Sequence, residues 1–483
     1  MSSTVITPIM SLPTPPRNPL SGFGLLLQES LNPVMVSIDH GISKEDESRD
    51  DFFRQVKMLH ALQNDLAHAV RSGMVESIPG LLESNEATLL QLVESINGDE
   101  CARESKLGFL IEKSRATLLL HHFFQEGKVA TQSSLQPCND NEYIGAVLSF
   151  AQSLNQYALG VACEGDVASI ELCLGVLAEV NAKMLEFDFR NGPLRRKYDG
   201  LKYALRSMED ILFELSLQSP CATEVDAAGV QEEECSSPTK RMRLEESVTS
   251  ASAAEGGPAA AAVFKFIDAA EIDAIRQRMD RYDQLRELVI KDSRDVQKLA
   301  KQAVFAVIRG QLGEAHKKLD QAAVFAKKIL ETVNQHPTLR QGSFSNSLEE
   351  WAEGALTLAW VEHKRILSPE ELGLVNSAEY VGALSDFTGE IGRLAVMHAG
   401  KRDFAAVREI YQADLVLANA ISRLSGNRFA KKLEMVQTNL RKVSDVIYEL
   451  SMLQRSGRAT RTKPVDLNVG VSEAGAKGAS EDC

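Results

Sequence analysis

Four carboxylates fall on two predicted helices at spacings that place each pair on one face. Glu350 and Glu353 are three residues apart, and Asp386 and Glu390 are four apart. Each pair therefore projects from one side of its helix, within about one turn, roughly 5 Å of axial rise. If the two helices face each other, four acids converge, and they repel strongly unless protons or a cation compensate. Hard oxygen donors of this kind suit Mg2+, with Mn2+ as the alternative. A cation held there could bind a phosphodiester oxygen, activate water and stabilise charge on the leaving oxygen. Acid pairs at helical spacing are also common on solvated faces. Two features favour an inward face here. The remaining positions of both helices are strongly apolar, and Gly389, costly in mid-helix, suggests close approach by another element.

The elements that carry these acids occur twice. Glu379-Tyr-Val-Gly-Ala-Leu-Ser-Asp-Phe387 repeats Glu142-Tyr-Ile-Gly-Ala-Val-Leu-Ser-Phe150, an offset of 379 − 142 = 237. At that offset the first copy has Lys113, Ala116, Ser149 and Ser153 where the second has the four acids. The ends of the copies repeat as well. Tyr448-Glu-Leu-Ser-Met452 matches Phe213-Glu-Leu-Ser-Leu217, now at 448 − 213 = 235. A period this long marks a tandem domain rather than a solenoid of short repeats. One half is equipped for metal or acid chemistry, and the other lacks the equipment.

The rest of the chain reads as all-α, with two tandem helical bundles joined by a disordered linker. Apolar residues recur at spacings of three and four from Phe53 to Val70, and again from Ile272 to Val289. Further helices are predicted at about 80–97, 104–127, 140–160, 165–188 and 192–217 in the first copy. In the second they fall at about 314–334, 346–367, 377–399, 402–423 and 428–454, after a long helix that Gly310 ends. No alternating strand pattern is present. The domains on this reading are a disordered tail over 1–48, a non-catalytic module over 49–217 and a flexible linker over 218–263. A catalytic module over 264–456 and a disordered tail over 457–483 complete the chain. The linker contains Ser237-Pro-Thr-Lys-Arg-Met-Arg243, a short basic cluster that reads equally well as a nuclear-localisation signal or a chance basic run.

The net charge of −14 argues against a generic polyanion binder, so a nucleic-acid site must be a local basic patch. Lys364-Arg365 and Lys401-Arg402 are short basic clusters near helix ends, where they could contact phosphates or cap the helices. Seven cysteines show no CxxC and no histidine-rich spacing, which speaks against structural zinc and a disulfide framework and fits a reducing compartment. No apolar run is long enough to span a bilayer, so no membrane partner is expected. Trp351 and Trp360 read as core. No phosphate-cradling or dinucleotide glycine loop and no nucleophile elbow is present.

Several runs resemble the translin family. Arg195-Arg-Lys-Tyr-Asp-Gly-Leu-Lys-Tyr203 and its continuation to Leu217 resemble the C-terminal helix of translin, and Glu142-Tyr143 with its helix resembles the middle region. Arg281-Tyr-Asp-Gln-Leu-Arg-Glu-Leu288, Asp292-Ser-Arg-Asp295, Leu348-Glu-Glu-Trp-Ala-Glu353 and Ser385-Asp-Phe-Thr-Gly-Glu-Ile-Gly-Arg393 resemble translin-associated factor X. The resemblance covers about 50–217 and 266–455. It implies an all-α bundle that assembles into a closed shell, and an Mg2+-dependent endoribonuclease active in small-RNA or tRNA-fragment processing. Carried over by position, the catalytic and metal-binding acids are Glu350, Glu353, Asp386 and Glu390. Arg393, Lys364, Arg365, Lys113 and Arg115 are the candidate nucleic-acid contacts. The implied partners are single-stranded RNA, single-stranded DNA as a further ligand, and further copies of this chain or other family members. Cytoplasmic and nuclear residence is implied. The family supplies the two types as separate chains, whereas here they are fused. Fusion fixes a one-to-one ratio, and four chains would supply eight modules. The alternative reading is a non-catalytic assembly protein that binds single-stranded nucleic acid.

Overall fold

The computed structural model describes residues 22–72, 76–218, 265–424 and 429–456. Among these residues every regular element is a helix. Twelve long helices run in chain order. The first six are α1 (Gly22–Arg71), α2 (Ile78–Ser95), α3 (Gly108–Glu126), α4 (Asp140–Ala162), α5 (Val167–Met184) and α6 (Pro193–Gln218). The second six are α7 (Ala269–Ile308), α8 (Leu312–Gln335), α9 (Ser343–His363), α10 (Ser377–Gly400), α11 (Phe404–Ser422) and α12 (Ala430–Ser456). No helix among the described residues is long and apolar enough to cross a membrane. The linker after Gln218, the basic cluster at 237–243 and the C-terminal tail lie outside the described residues.

The repeat read in the sequence is physical. Helices α4 and α10 begin with the same capping box, Asn139 with Glu142 and Asn376 with Glu379, which satisfies two otherwise orphan donors at each start. Asp166 and Asp403 cap α5 and α11. The buried Tyr143 hydroxyl donates to the Ala130 carbonyl at 2.9 Å, and Tyr380 donates to the Leu367 carbonyl at the same distance. An edge-on aromatic pair recurs as well, Phe123 with Phe150 and Trp360 with Phe387. Trp351 and Trp360 are core residues, as expected from the sequence.

The chain divides into two compact units whose boundaries differ from the sequence modules. Among the described residues, one comprises 22–61, 87–107, 280–424 and 429–456; the other comprises 62–72, 76–86, 108–218 and 265–279. Three expectations are corrected here. Residues 22–48 are not a disordered tail. They form the start of α1, and Leu27, Leu31, Met35, Ile38 and Ile42 are buried in the same core as α9 and α10. Their spacing of four, four, three and four is one helical stripe, and burying it offsets the cost of Pro33 within the helix. The second module does not start at 264 as a closed body either. Ile267, Ile272 and Ile275 pack into the core of the unit formed around α3–α6. There Lys183 pairs with Asp273 at 3.0 Å and Arg278 with Asp140 at 2.7 Å. The predicted helix over 104–127 is also broken. Arg103–Leu107 is a π-helical turn, and α3 starts only at Gly108.

Candidate functional site

The four acids are held by α9 and α10, which pack against each other, and α12 packs against α10 and reaches the acids through Lys432. In α9, Phe344, Leu348, Trp351, Ala352 and Leu356 are buried, and this fixes the rotation of the helix. Glu350 and Glu353 are then half-buried at the edge of the apolar face. In α10 almost every residue from Glu379 to Phe387 is buried, with Asp386 half-buried and Glu390 buried. The inward disposition inferred from the sequence is therefore what the fold shows. A Cβ at Gly389 would meet the Asn439 amide at 3.5 Å, an ordinary contact, so close approach does not demand the glycine. That amide donates to the Thr388 hydroxyl at 2.9 Å, so α12 is the neighbouring element.

Electrostatics shows the crowding. Burial, followed by the charges of Glu390, Asp386 and Glu350, pushes the Glu353 carboxyl up to about 8. Glu390 is raised by burial, against the pull of Arg393, with Glu350 and Asp386 adding to the rise. Three side-chain cations answer the acids. Arg393 pairs with Glu390 at 2.8 Å, Lys301 with Glu350 at 3.2 Å, and Lys432 with Asp386 at 3.2 Å. The Gln297 amide also donates to Glu350 at 3.3 Å.

A fifth acid, Glu349, was not singled out in the sequence. Lys432 pairs with it at 3.1 Å while holding Asp386. Burial raises the Glu349 carboxyl, opposed by Lys432. Burial works against the charge on Lys432, but Asp386 and Glu349 outweigh it and its pKa is raised. Five acids face three cations, Lys301, Arg393 and Lys432, so the acids outnumber the side-chain cations that answer them. The donor set is all carboxylate, the oxygen chemistry that hard divalent cations take. As the side chains stand, however, no three acidic, imidazole or thiol groups among the described residues converge closely enough to hold an ion.

The expected nucleic-acid contacts separate into two groups. Arg393 is 65% exposed beside Glu390, and Arg365 is half-exposed and paired with Glu371. Lys364 ends α9 in the left-handed conformation, with its ammonium over the Trp360 ring at 5.4 Å. These three lie on the same unit as the acids. Lys113 and Arg115 lie on α3 of the other unit. Lys113 donates to Asn64 at 2.6 Å, and its pKa is lowered by burial and then by Arg71. Arg115 corrects the sequence reading. It is 1% exposed and bonds Glu86 through both terminal nitrogens at 2.7 and 2.8 Å, so it is a structural residue closed to solvent.

Residues 284–453 match the model of the Translin family. Translin from Gallus gallus is 27% identical over 77 residues, which is 16% of this chain and 34% of that protein. Translin from Homo sapiens is 26% identical over the same shares. The chain thus spans about a third of the length of the curated relatives it matches. Among solved structures, apo-NeC3PO is 22% identical and covers 37% of this chain and 96% of its own, with a TM-score of 0.35. A complex of AfC3PO with duplex RNA is 14% identical and covers 38% and 98%, also with a TM-score of 0.35. Over residues 284–453, which include all four acids, this chain carries a Translin family domain.

Proposed function

We propose that the chain is a divalent-metal-dependent endoribonuclease acting on single-stranded or short duplex RNA, in small-RNA or tRNA-fragment processing. The observation that carries this reading is the cluster of acids on α9 and α10, crowded enough to lift Glu353 to about 8. The twin positions in the other half hold Lys113, Ala116, Ser149 and Ser153. Carboxylates are not crowded in a protein interior without compensation. Glu350, Glu353, Asp386 and Glu390 would hold Mg2+, or Mn2+ in its place. The ion would supply Lewis-acid polarisation of the phosphodiester and a more acidic water. Arg393, exposed at the edge of the cluster, is placed to attract a phosphate, and Lys364 and Arg365 add positive charge at the end of α9. The acid-free half would bind RNA without cutting it.

Self-association fits the same reading. Both halves expose large apolar side chains at equivalent places on their last helices, Phe213 and Leu217 on α6 and Tyr448 and Met452 on α12. Such pairs on a soluble surface favour protein contacts.

A second reading is favoured by one observation. Lys432 and Arg393 already answer Asp386 and Glu390, and no three ligands converge. That is the arrangement expected of a non-catalytic binding protein. The two readings separate when cleavage and retention of a labelled single-stranded RNA are measured in parallel, in Mg2+ and in EDTA. Retention in both with cutting only in Mg2+ supports the nuclease. Retention without cutting in either supports the binding protein.

A further inference from the structure

Each unit contains the same three-residue clamp. In the unit built around α3–α6, Glu112 on α3 lies against Gly145 of α4 and pairs with Lys197 of α6. In the other unit, Glu349 on α9 lies against Gly382 of α10 and pairs with Lys432 of α12. The correspondence is positional: 349 − 112 = 237, 382 − 145 = 237 and 432 − 197 = 235, the offsets of the repeat. Both glycines leave room for the glutamate where it lies. A Cβ at either place would overlap the glutamate carboxylate. The clamp therefore joins three helices in each half and does not depend on the acid cluster, because it stands complete in the half that lacks one.

The halves differ in what the clamp meets next. At position 149 the first half has a serine, whose hydroxyl donates to Glu112 at 2.9 Å and closes the group. The equivalent position, 386, is an aspartate, which cannot donate to Glu349 when ionised. Instead both Asp386 oxygens accept from the Lys432 ammonium, at 3.4 and 3.2 Å. One ammonium is shared between a half-buried structural glutamate and a proposed metal ligand. Lysine has three donors on one centre, so it can bridge two carboxylates while α9, α10 and α12 hold it in place.

We propose that Glu349 and Lys432 are positioning residues for Asp386, a structural clamp that in this half sets the orientation of a metal-binding carboxylate. The assignment rests on the nuclease reading above. Neither residue touches substrate. Glu349 anchors Lys432, and Lys432 restrains the Asp386 carboxylate. Misplacing a reacting group by an ångström costs on the order of a hundredfold in rate, so losing this restraint acts on turnover. It does not weaken cation binding, because Lys432 is itself a positive charge beside the site.

The test compares the full chain with its Lys432→Met, Lys432→Arg and Lys197→Met variants. Three quantities are measured: kcat and KM on a labelled single-stranded RNA in Mn2+, the affinity for Mn2+ alone by electron paramagnetic resonance, and the unfolding midpoint. Lys432→Met is expected to lower kcat about tenfold or more, with KM little changed and Mn2+ bound no more weakly. Lys432→Arg restores most of kcat by supplying a cation to both acids. Lys197→Met breaks the twin clamp and lowers the unfolding midpoint, but leaves kcat and Mn2+ affinity unchanged. The assignment is overturned if Lys432→Met keeps kcat within twofold, if Lys432→Arg is no better than Lys432→Met, or if Lys197→Met loses as much turnover as Lys432→Met. It is equally overturned if Mn2+ affinity falls with kcat, which makes Lys432 part of the fold of the site. An unaltered chain that neither binds Mn2+ nor cleaves removes the nuclease reading and this assignment together.

Discussion

Replacing Glu353 by glutamine should make the metal-free protein more stable, and increasingly so as pH rises. The unfolded chain ionises Glu353 from its ordinary value of 4.5, whereas the folded chain holds the proton up to about 8. The folded pKa is the higher one, so the stability linked to this proton is complete below about pH 4.5. It declines as the unfolded state ionises first, and is lost once pH passes about 8. At about 1.4 kcal/mol per unit, the shift from 4.5 to about 8 corresponds to something on the order of 5 kcal/mol across the whole window. Between pH 5 and pH 7 the loss is roughly 3 kcal/mol. Glutamine resembles the protonated acid and does not titrate, so the variant escapes the loss. The assay is urea unfolding of both proteins in EDTA at pH 5, 7 and 9. The advantage of Glu353→Gln should be small at pH 5 and grow by a few kcal/mol by pH 9. Parallel stability profiles would show that neither burial nor the neighbouring carboxylates raise Glu353, and would refute the reading of a buried, crowded acid. The same proton couples to the cation. In the unaltered protein Mn2+ binding should release a proton from Glu353 below pH 8 and tighten with rising pH, and in the variant that dependence should weaken.

Asp414 offers a separate test. It is fully buried, neither carboxyl oxygen has a hydrogen-bond partner among the described residues, and burial pushes its pKa well above the usual carboxylate range. Its twin at 414 − 237 = 177 is the buried Leu177. Asp414→Leu is therefore expected to stabilise the fold by on the order of 1–3 kcal/mol, more at pH 8 than at pH 5, in denaturant titrations; a less stable variant at pH 8 contradicts this. Arg115→Met should cost about 3 kcal/mol by removing the guanidinium bonded to Glu86, yet leave RNA retention by the folded protein intact. A specific loss of RNA affinity would restore Arg115 as a contact. Serine at both Phe213 and Tyr448 should lower the sedimentation coefficient by breaking self-association, and an unchanged coefficient would place the contacts elsewhere.

Much of the site was legible in the sequence because helical spacing decides which side chains share a face. The pairs Glu350–Glu353 and Asp386–Glu390 needed only that rule, and the asymmetry between the halves needed only the offset of 237. Glu349 and Lys432 were equally visible in principle, since Glu112 and Lys197 stand at matching places. They were missed because charged residues common to both halves attract no notice until the contact with Gly382 and Gly145 is seen. Arg115 misled for the opposite reason. Its partner Glu86 lies 29 residues earlier on another helix, and no local pattern announces that a basic residue is neutralised in the interior. The start of α1 was hidden by Pro33 and Gly41, although the stripe from Leu27 to Ile42 has helical spacing. The division of α7 between two cores could not be read at all. A continuous apolar period looks the same whichever body it packs against.

The most direct measurement is cleavage of a labelled single-stranded RNA by the full chain in Mg2+ and in EDTA, beside Asp386→Ala and its twin Ser149→Ala. Cleavage that requires Mg2+, disappears in Asp386→Ala and persists in Ser149→Ala is the expected result, with RNA still retained by every protein. Cleavage that survives Asp386→Ala, or RNA that is held but never cut by the unaltered chain, would contradict an active site built from the acids of α9 and α10.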